Sequence, residues 1–293
     1  MRWLERTLST IPEKYAVVII DNASTDTTIS YIKTNYPKFK LFEETINLGF
    51  GQANNKGISY ALSQNATAVF LLNQDAYLES DTISKLEEHS TAEPTFGILS
   101  PVHYSGDGRT LDGNFSSYMA YNHAPTFYRD ALMQEIQPIY EVAFVNAAAW
   151  YLPIKTLMIV GGFDPMFFHY GEDDNYVQRV SYHNLKLGVV STSRIYHDRE
   201  PDKNIKLKVF SEEYFKHREK RYKVLFGDIR SVTFEEQLLD QKRKLNRSTI
   251  LSILKLNFYK AKQYTKESSM LKSIETTIRA SRKKNITQGK NYL

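Results

Sequence analysis

A chain of 293 residues with 42% apolar and 24% charged side chains can hold one large α/β domain and a helical appendage, and its balance is globular. It has no Cys, which removes disulfide scaffolds, thiolate metal sites, iron–sulfur clusters and Cys nucleophiles. The net charge of +5 hides an asymmetry: residues 1–199 hold 15 Lys and Arg against 22 Asp and Glu, while residues 200–293 hold 23 against 11, so the two parts are expected to meet different surroundings.

No apolar run approaches the roughly 20 residues of a membrane helix. The opening Met1-Arg2-Trp3-Leu4-Glu5-Arg6 is too polar for a signal peptide, so a soluble, intracellular protein is expected. Residues 15–20 (Tyr-Ala-Val-Val-Ile-Ile) predict a buried parallel strand ending at Asp21-Asn22. Ser24 or Thr25 can cap a helix over 27–36, which stops before Pro37. A short strand at 40–42, a helix over 52–65 and a buried strand over 68–72 follow, the last ending at Asn73-Gln74-Asp75. A helix over 81–89 and a strand over 97–100 continue the rhythm. This alternation predicts a doubly wound sheet that binds ligands at the carboxyl ends of its strands. Asp21-Asn22-Ala23-Ser24-Thr25-Asp26 and Asn73-Gln74-Asp75 both lie at such ends.

Residues 107–138 become irregular and aromatic, which predicts an excursion built as a hairpin or lid. Small residues Asn146-Ala147-Ala148-Ala149 precede Trp150, and Gly161-Gly162-Phe163-Asp164 forms a turn. An aromatic run then leads into Glu172-Asp173-Asp174, ahead of a helix over 175–182. A strand over 186–190 and the segment Ile195-Tyr196-His197-Asp198-Arg199 come next, and beyond residue 205 the chain reads as helix.

Four clusters can carry chemistry. Asp75, at a strand end, suits a hard cation that also binds phosphates, or else a turn or helix cap. Glu172-Asp173-Asp174 can raise one another's proton affinity and supply a general base, or simply complement a helix dipole. His197 can complete a metal site or be an ordinary polar residue. The segment from Asn47-Leu48-Gly49-Phe50-Gly51 to Gly57 can offer N–H groups to a phosphate. It lacks the Lys-Ser/Thr ending and the dinucleotide glycine spacing, which weakens ATPase and dehydrogenase readings.

The order of these blocks is more specific than any one of them. Val-Val-Ile-Ile-Asp21-Asn22-Ala23-Ser24-Thr25-Asp26, then Asn47-Leu48-Gly49-Phe50-Gly51 with Ala53-Asn54-Asn55, then Phe70-Leu71-Leu72-Asn73-Gln74-Asp75 resembles the family two glycosyltransferases. Gly161-Gly162-Phe163-Asp164, Gly171-Glu172-Asp173 with Arg179, and Tyr196-His197 continue the match, which looks most like a bacterial rhamnosyltransferase-like branch acting on surface polysaccharides. The resemblance spans about residues 3–200 and implies a GT-A fold, that is, a Rossmann-like mixed sheet. It also implies a nucleotide-diphosphate sugar donor, Mg²⁺ or Mn²⁺, inversion at the anomeric carbon and a glycan or lipid-linked acceptor. By position it makes Asp21, Asn22, Asp26, Asn54 and Asn73 donor-binding residues and Asp75 and His197 metal ligands. Asp173 becomes the base that deprotonates the acceptor, with Glu172 beside it.

The chain departs from the family twice. The family opens with a strand and a Thr-Tyr-Asn-like turn, whereas this chain begins at what matches the following helix. Either the start is truncated or the sheet lacks a central strand, and the second case allows a catalytically weak or inactive nucleotide-sugar-binding or assembly protein. Asn175 also stands where the family often has an acid.

The expected organisation is a GT-A domain over 1–204 and a basic helical extension over 205–293. The extension's aromatic spacing fits a packing face better than base stacking, which argues against nucleic acid. Its Lys and Arg (Lys203, Lys206, Lys208, Lys216, Arg218, Lys220, Arg221 and Lys223, then later clusters) and a short amphipathic stretch near 250–258 leave two expectations. Either the helices pack on the domain or on a second copy as a homodimer, or a basic face rests on an anionic membrane surface. The expected location is cytoplasmic, peripheral on the inner face of the plasma membrane in the second case.

Overall fold

The structure, a computed structural model, describes residues 1–199 and 207–293. The 204/205 boundary, Lys203 and Lys206 therefore lie outside the described residues. In chain order the first half comprises α1 (Leu4–Ser9), β1 (Val18–Asp21), α2 (Thr28–Asn35), β2 (Lys40–Glu43), α3 (Phe50–Ser63), β3 (Ala68–Leu72), β4 (Ala76–Leu78), α4 (Thr82–Ala92) and β5 (Phe96–Ser105). Then come α5 (Gly113–Tyr118), α6 (Pro125–Met133), β6 (Ile139–Glu141), β7 (Ala149–Pro153), α7 (Ile154–Ile159), α8 (Glu172–Tyr182) and β8 (Lys186–His197). The helices α9 (Glu212–Gly227), α10 (Phe234–Leu254) and α11 (Phe258–Asn285) follow.

The strands form two sheets. β1 and β2 pair in parallel by themselves. Six strands make the main sheet, in the order β3-β7-β5-β8-β4 with β6 also on β8. It is mixed: β5 and β8 run parallel, and the other pairings are antiparallel. The sheet thus divides between β1 and β3, each an edge, and α3 packs against both. Each of these two strands therefore has one unpaired edge. This explains why neither strand is the fully buried run expected from its composition: three of four β1 residues and four of five β3 residues are only half-buried.

Other differences have local causes. The 107–138 excursion is two short helices, α5 and α6, rather than a hairpin. Asp112 nucleates α5 by accepting the N–H groups of Asn114 and Phe115 at 3.0 and 2.9 Å. β4 is too short for an alternation signal, and β8 runs unbroken through the region read as two pieces.

Apolar residues on the two faces of the main sheet form separate clusters, one around Trp150, Phe163 and Tyr176, the other around Leu86, Leu99 and Ile195. The C-terminal helices add a third, in which Tyr222, Phe226, Leu238 and Leu271 pack on Met166 and Phe167. The last residues are fastened beneath the Gly161–Asp164 turn. Asp164 Oδ2 accepts from Ser281 Oγ (2.6 Å), Asn285 Nδ2 (2.8 Å) and Tyr292 OH (3.0 Å), and the Gly162 N–H donates to Asn291 O at 2.7 Å. A Cβ on Gly161, whose φ is +79°, would sit 2.3 Å from that same oxygen, so only glycine admits the tail.

Candidate active site

Pairing of β4 with β8 sets Ala76 opposite His197 and so brings Asp75 to the end of the long strand. The Asp198 N–H donates to Asp75 O at 2.8 Å, and His197 Nε2 stands 3.5 Å from Asp75 Oδ1. From the other side α1 pins the turn: Thr7 Oγ1 donates to Gln74 O, Thr10 Oγ1 accepts from Leu78 N at 3.1 Å, and the Arg6 guanidinium lies 4.0 Å above the Tyr77 ring. Behind His197 lies Asp112, its Oδ2 3.7 Å from His197 Nδ1 and 2.7 Å from Arg199 Nε. Burial opposes charge on Asp112, but the Phe115 N–H and Arg199 outweigh it and hold the carboxyl below its usual range. Buried His103, kept neutral by burial with its pKa lowered to about 3, stacks on Phe115 and meets the His197 ring edge-on.

These donors fit a divalent cation of limited protein ligation. No group of three His, Cys, Asp or Glu suited to a metal occurs among the described residues. One carboxylate and one imidazole remain, His197 Nε2 facing Asp75 while Nδ1 is turned to Asp112. Mg²⁺ and Mn²⁺ are commonly held this way when substrate phosphates complete the shell.

The nucleotide-side residues divide by how much of each is spoken for. Asp21 is buried at the end of β1; Oδ2 accepts from Ser24 N at 3.0 Å while Oδ1 has no partner. Asn22 is committed to the neighbouring loop, accepting from Leu48 N at 2.7 Å and donating to Asn47 Oδ1 at 2.9 Å. Asp26 is exposed; the Thr28 hydroxyl and N–H keep its carboxyl below the usual range, and it pairs with the chain's first amine. Asn54 donates back to Phe50 O within α3, and its buried neighbour Asn55 instead clamps Phe163 through both backbone groups at 2.8 and 2.6 Å. Asn73 is half-buried beside Asp75, its N–H donating to Ala148 O at 2.9 Å.

Ahead of α8, Gly171, at φ +97°, turns the chain into the helix, whose first turn is Glu172-Asp173-Asp174. Burial raises all three carboxyls. Asp174, pressed further by Asp173, reaches about 6. Glu172 Oε2 is buried without a partner, and the backbone of Ala147 lies against Asp173. Lys220 of α9 offsets part of the charge and lies 5.3 Å over the Tyr170 ring. Asn175 carries no charge here; it accepts from the buried Arg179 guanidinium at 3.1 Å, which also ties down Val160 O and Gly162 O.

The Asp75 and Asp173 ends meet along one short segment of chain. Ala148 holds Asn73 while Ala147 touches Asp173. Tyr118, pushed up to about 12 by burial, is also influenced by Asp173 and Asp174 on one hand and by Arg199 and Asp112 on the other. Sequence reasoning missed Asp112, Tyr118 and Lys220 as site residues, because each arrives from a distant element. Arg199 had a signal: two residues after His197, it lies on the same side of an extended segment.

Residues 2–146 match the sequence model of Glycosyl transferase family 2, a span that includes Asp21, Asn22, Asp26, Asn54, Asn73 and Asp75 but not Glu172, Asp173 or His197. Two strains of Mycobacterium tuberculosis have an N-acetylglucosaminyl-diphospho-decaprenol L-rhamnosyltransferase that is 24% identical over 185 residues, covering 54% of this chain and 58% of that protein. The chain therefore spans less than two thirds of the length of these curated relatives. Among solved structures, S. aureus TarS 1–349 with UDP superposes at a TM-score of 0.50 and 15% identity over 95% of this chain and 88% of that one. Its complex with UDP-GlcNAc gives 0.51 at the same identity and coverage. GalNAc-T7 with UDP, GalNAc and Mn²⁺ gives 0.52 at 16% identity over 76% of this chain and 45% of that one. The sequence match and the architecture agree: this chain carries a family two glycosyltransferase domain of GT-A fold.

Proposed function

We propose that the chain is an inverting glycosyltransferase that moves a sugar from a nucleotide-diphosphate sugar to a hydroxyl of a glycan or lipid-linked acceptor in bacterial surface polysaccharide synthesis. The observation that carries this reading is a raised carboxyl at Asp173, at the start of α8, joined through the adjacent residues Ala147 and Ala148 to the Asn73–Asp75 turn that β4 sets beside His197. An inverting displacement needs a proton acceptor on the acceptor side and positive charge on the diphosphate side.

On the donor side, the unpaired Asp21 Oδ1 accepts a hydrogen bond from the base or ribose, and Asn73 reaches the ribose. Arg199, oriented by Asp112, faces the diphosphate. Mg²⁺ or Mn²⁺ held by Asp75 and His197 would supply further charge to the departing diphosphate. On the acceptor side Asp173 takes the hydroxyl proton as that oxygen bonds to the anomeric carbon and the sugar–diphosphate bond breaks. Asp26, Asn22 and Asn54 shape the donor loops through the contacts described above.

The relatives support the substrate classes: two neighbours were solved with UDP or UDP-GlcNAc, and the mycobacterial enzymes are named for a lipid diphosphate acceptor. A cytoplasmic site of action belongs to the same proposal. The divided sheet favours one rival, a nucleotide-sugar-binding protein with little turnover, because β1, which carries Asp21, ends at an unpaired edge. Incubation with a panel of nucleotide sugars and a polyprenyl-diphosphate N-acetylglucosamine acceptor separates the two. Nucleoside diphosphate release coupled to glycolipid formation supports transfer; donor binding without turnover across the panel supports the rival.

A further inference from the structure

The joint between α10 and α11 exposes a cluster of large apolar side chains. Seven large apolar side chains crowd it: Ile250, Leu251, Ile253, Leu254, Leu256, Phe258 and Tyr259. Leu254 and Leu256 are 73% and 77% exposed, values that leave almost nothing of either side chain for the fold's own core. The joint itself is ordered by its own hydrogen bonds. Asn257 N–H donates to Ser252 O at 2.8 Å, Leu256 N–H to Ile253 O at 2.8 Å, and the Asn257 side chain caps α11 by accepting from Lys260 N at 3.0 Å. No helix among the described residues is long and apolar enough to cross a bilayer.

The surrounding charge is of one sign. Residues 241–266 contain eight Lys and Arg and no Asp or Glu, in a chain whose total is +5, so the rest of the chain is net negative. Lys242 is engaged by Glu275, and Lys266 covers the Phe215 ring. The other six, Arg243, Lys244, Arg247, Lys255, Lys260 and Lys262, are exposed around the apolar joint. An apolar tip ringed by cations matches an anionic lipid surface, where the tip enters the acyl boundary and the ring meets the headgroups. Phe258 and Tyr259 are of the type that sits at that depth. A tip-to-tip contact with a second copy would bring two such cationic rings together, which repel.

We propose that the α10–α11 hairpin tip, residues 250–259, is a membrane-insertion element that docks the protein on anionic bilayers. This refines the expectation of a basic face lying flat. On α9, Arg218 is bonded to buried Glu267, Lys220 lies near the acidic cluster and Lys223 pairs with Glu219, which leaves Lys216 and Arg221 as its exposed Lys and Arg. The proposal goes beyond the transfer reaction and needs neither donor nor turnover to be tested.

The test uses the full chain with vesicles of phosphatidylglycerol and phosphatidylcholine, or phosphatidylcholine alone. Anionic vesicles should pellet the protein at low salt, and Leu254→Glu/Leu256→Glu should reduce that binding by at least about tenfold with an unchanged melting temperature, since both side chains face solvent. A Phe258→Trp variant should gain fluorescence with anionic vesicles and be quenched by bromine on the acyl chains. Equal pelleting of wild type and double variant, no quenching of the Phe258→Trp variant by brominated lipid, or a wild-type dimer that the double variant dissolves would each overturn the proposal.

Discussion

Asp173 and Asp174 occupy adjacent positions on one helical turn, yet the site asks different things of them. Asp173 lies against the backbone of Ala147 and is the proton acceptor in the proposed reaction. Asp173→Asn keeps the shape but cannot take a proton. It should lower kcat by roughly 10²–10⁴-fold and leave nucleoside diphosphate affinity nearly unchanged, measurable by coupled kinetics and calorimetry. Because burial raises the Asp173 carboxyl, the acid limb of kcat/KM should lie above the usual carboxylate range. Lys220 favours its charged form, so Lys220→Ala should move that limb to still higher pH.

Asp174 makes a separate stability prediction. Its native value of about 6 lies above the ordinary 3.8, so the native state binds the proton more tightly than the unfolded chain. Stability therefore falls as pH rises from about 4 to about 6 and stays lower above that window. Asp174→Asn should raise the melting temperature at pH 7 and leave it almost unchanged near pH 4; equal effects at both would contradict the account. For the cation, UDP should bind more tightly with Mn²⁺ than with chelator in the wild type, and equally in both for Asp75→Ala. Asp75 and Asp173 are legible in the sequence because each closes an ordered block. Asp112 and Lys220 are not, since a buried cap and a cation 47 residues beyond Asp173 reach the site only through tertiary packing.

Elements follow the sequence where one period dominates and part from it where neighbours decide. β2 and β3 fall where apolar runs predict them, β1 keeps only the second half of the run over 15–20, and α3 follows Gly49. β4 escapes detection because three residues carry no period, although their pairing with β8 is what places Asp75 beside His197. The C-terminal helices are legible as helices, but their composition hides how the chain's end is used. Tyr292, Asn291 and Leu293 reach back to Asp164, Gly162 and the main core. Removing residues 286–293 breaks those hydrogen bonds, at about 1 kcal/mol each, and unpacks Leu293. For a chain of this size the melting temperature should fall by about 10 °C, as scanning calorimetry would show. Loss of activity should accompany it, because the loosened turn leads into the Glu172-Asp173-Asp174 helix. No change in melting temperature would show that the tail is a passive end. For the same reason, deleting the whole extension cannot isolate its membrane role, since α9 and α11 also complete the core around Met166 and Phe167.

At the scale of the whole molecule, the main sheet holds the Asp75–His197 turn at the end of β8, and the acidic turn opens α8. The order of sequence blocks points to this architecture, in which the strands divide into two sheets between β1 and β3. What composition could not reveal is that the basic extension contributes on two sides, lending Lys220 to the acidic cluster and presenting the apolar tip 250–259 to solvent. The central claim is a single displacement assisted by Asp173, and the anomeric configuration of the first-formed product tests it most directly. With an accepted nucleotide sugar and lipid acceptor, proton NMR of the new glycosidic bond should show a configuration opposite to the donor's, with no product from Asp173→Asn. Retention of the donor's configuration, or undiminished product from that variant, would contradict the account.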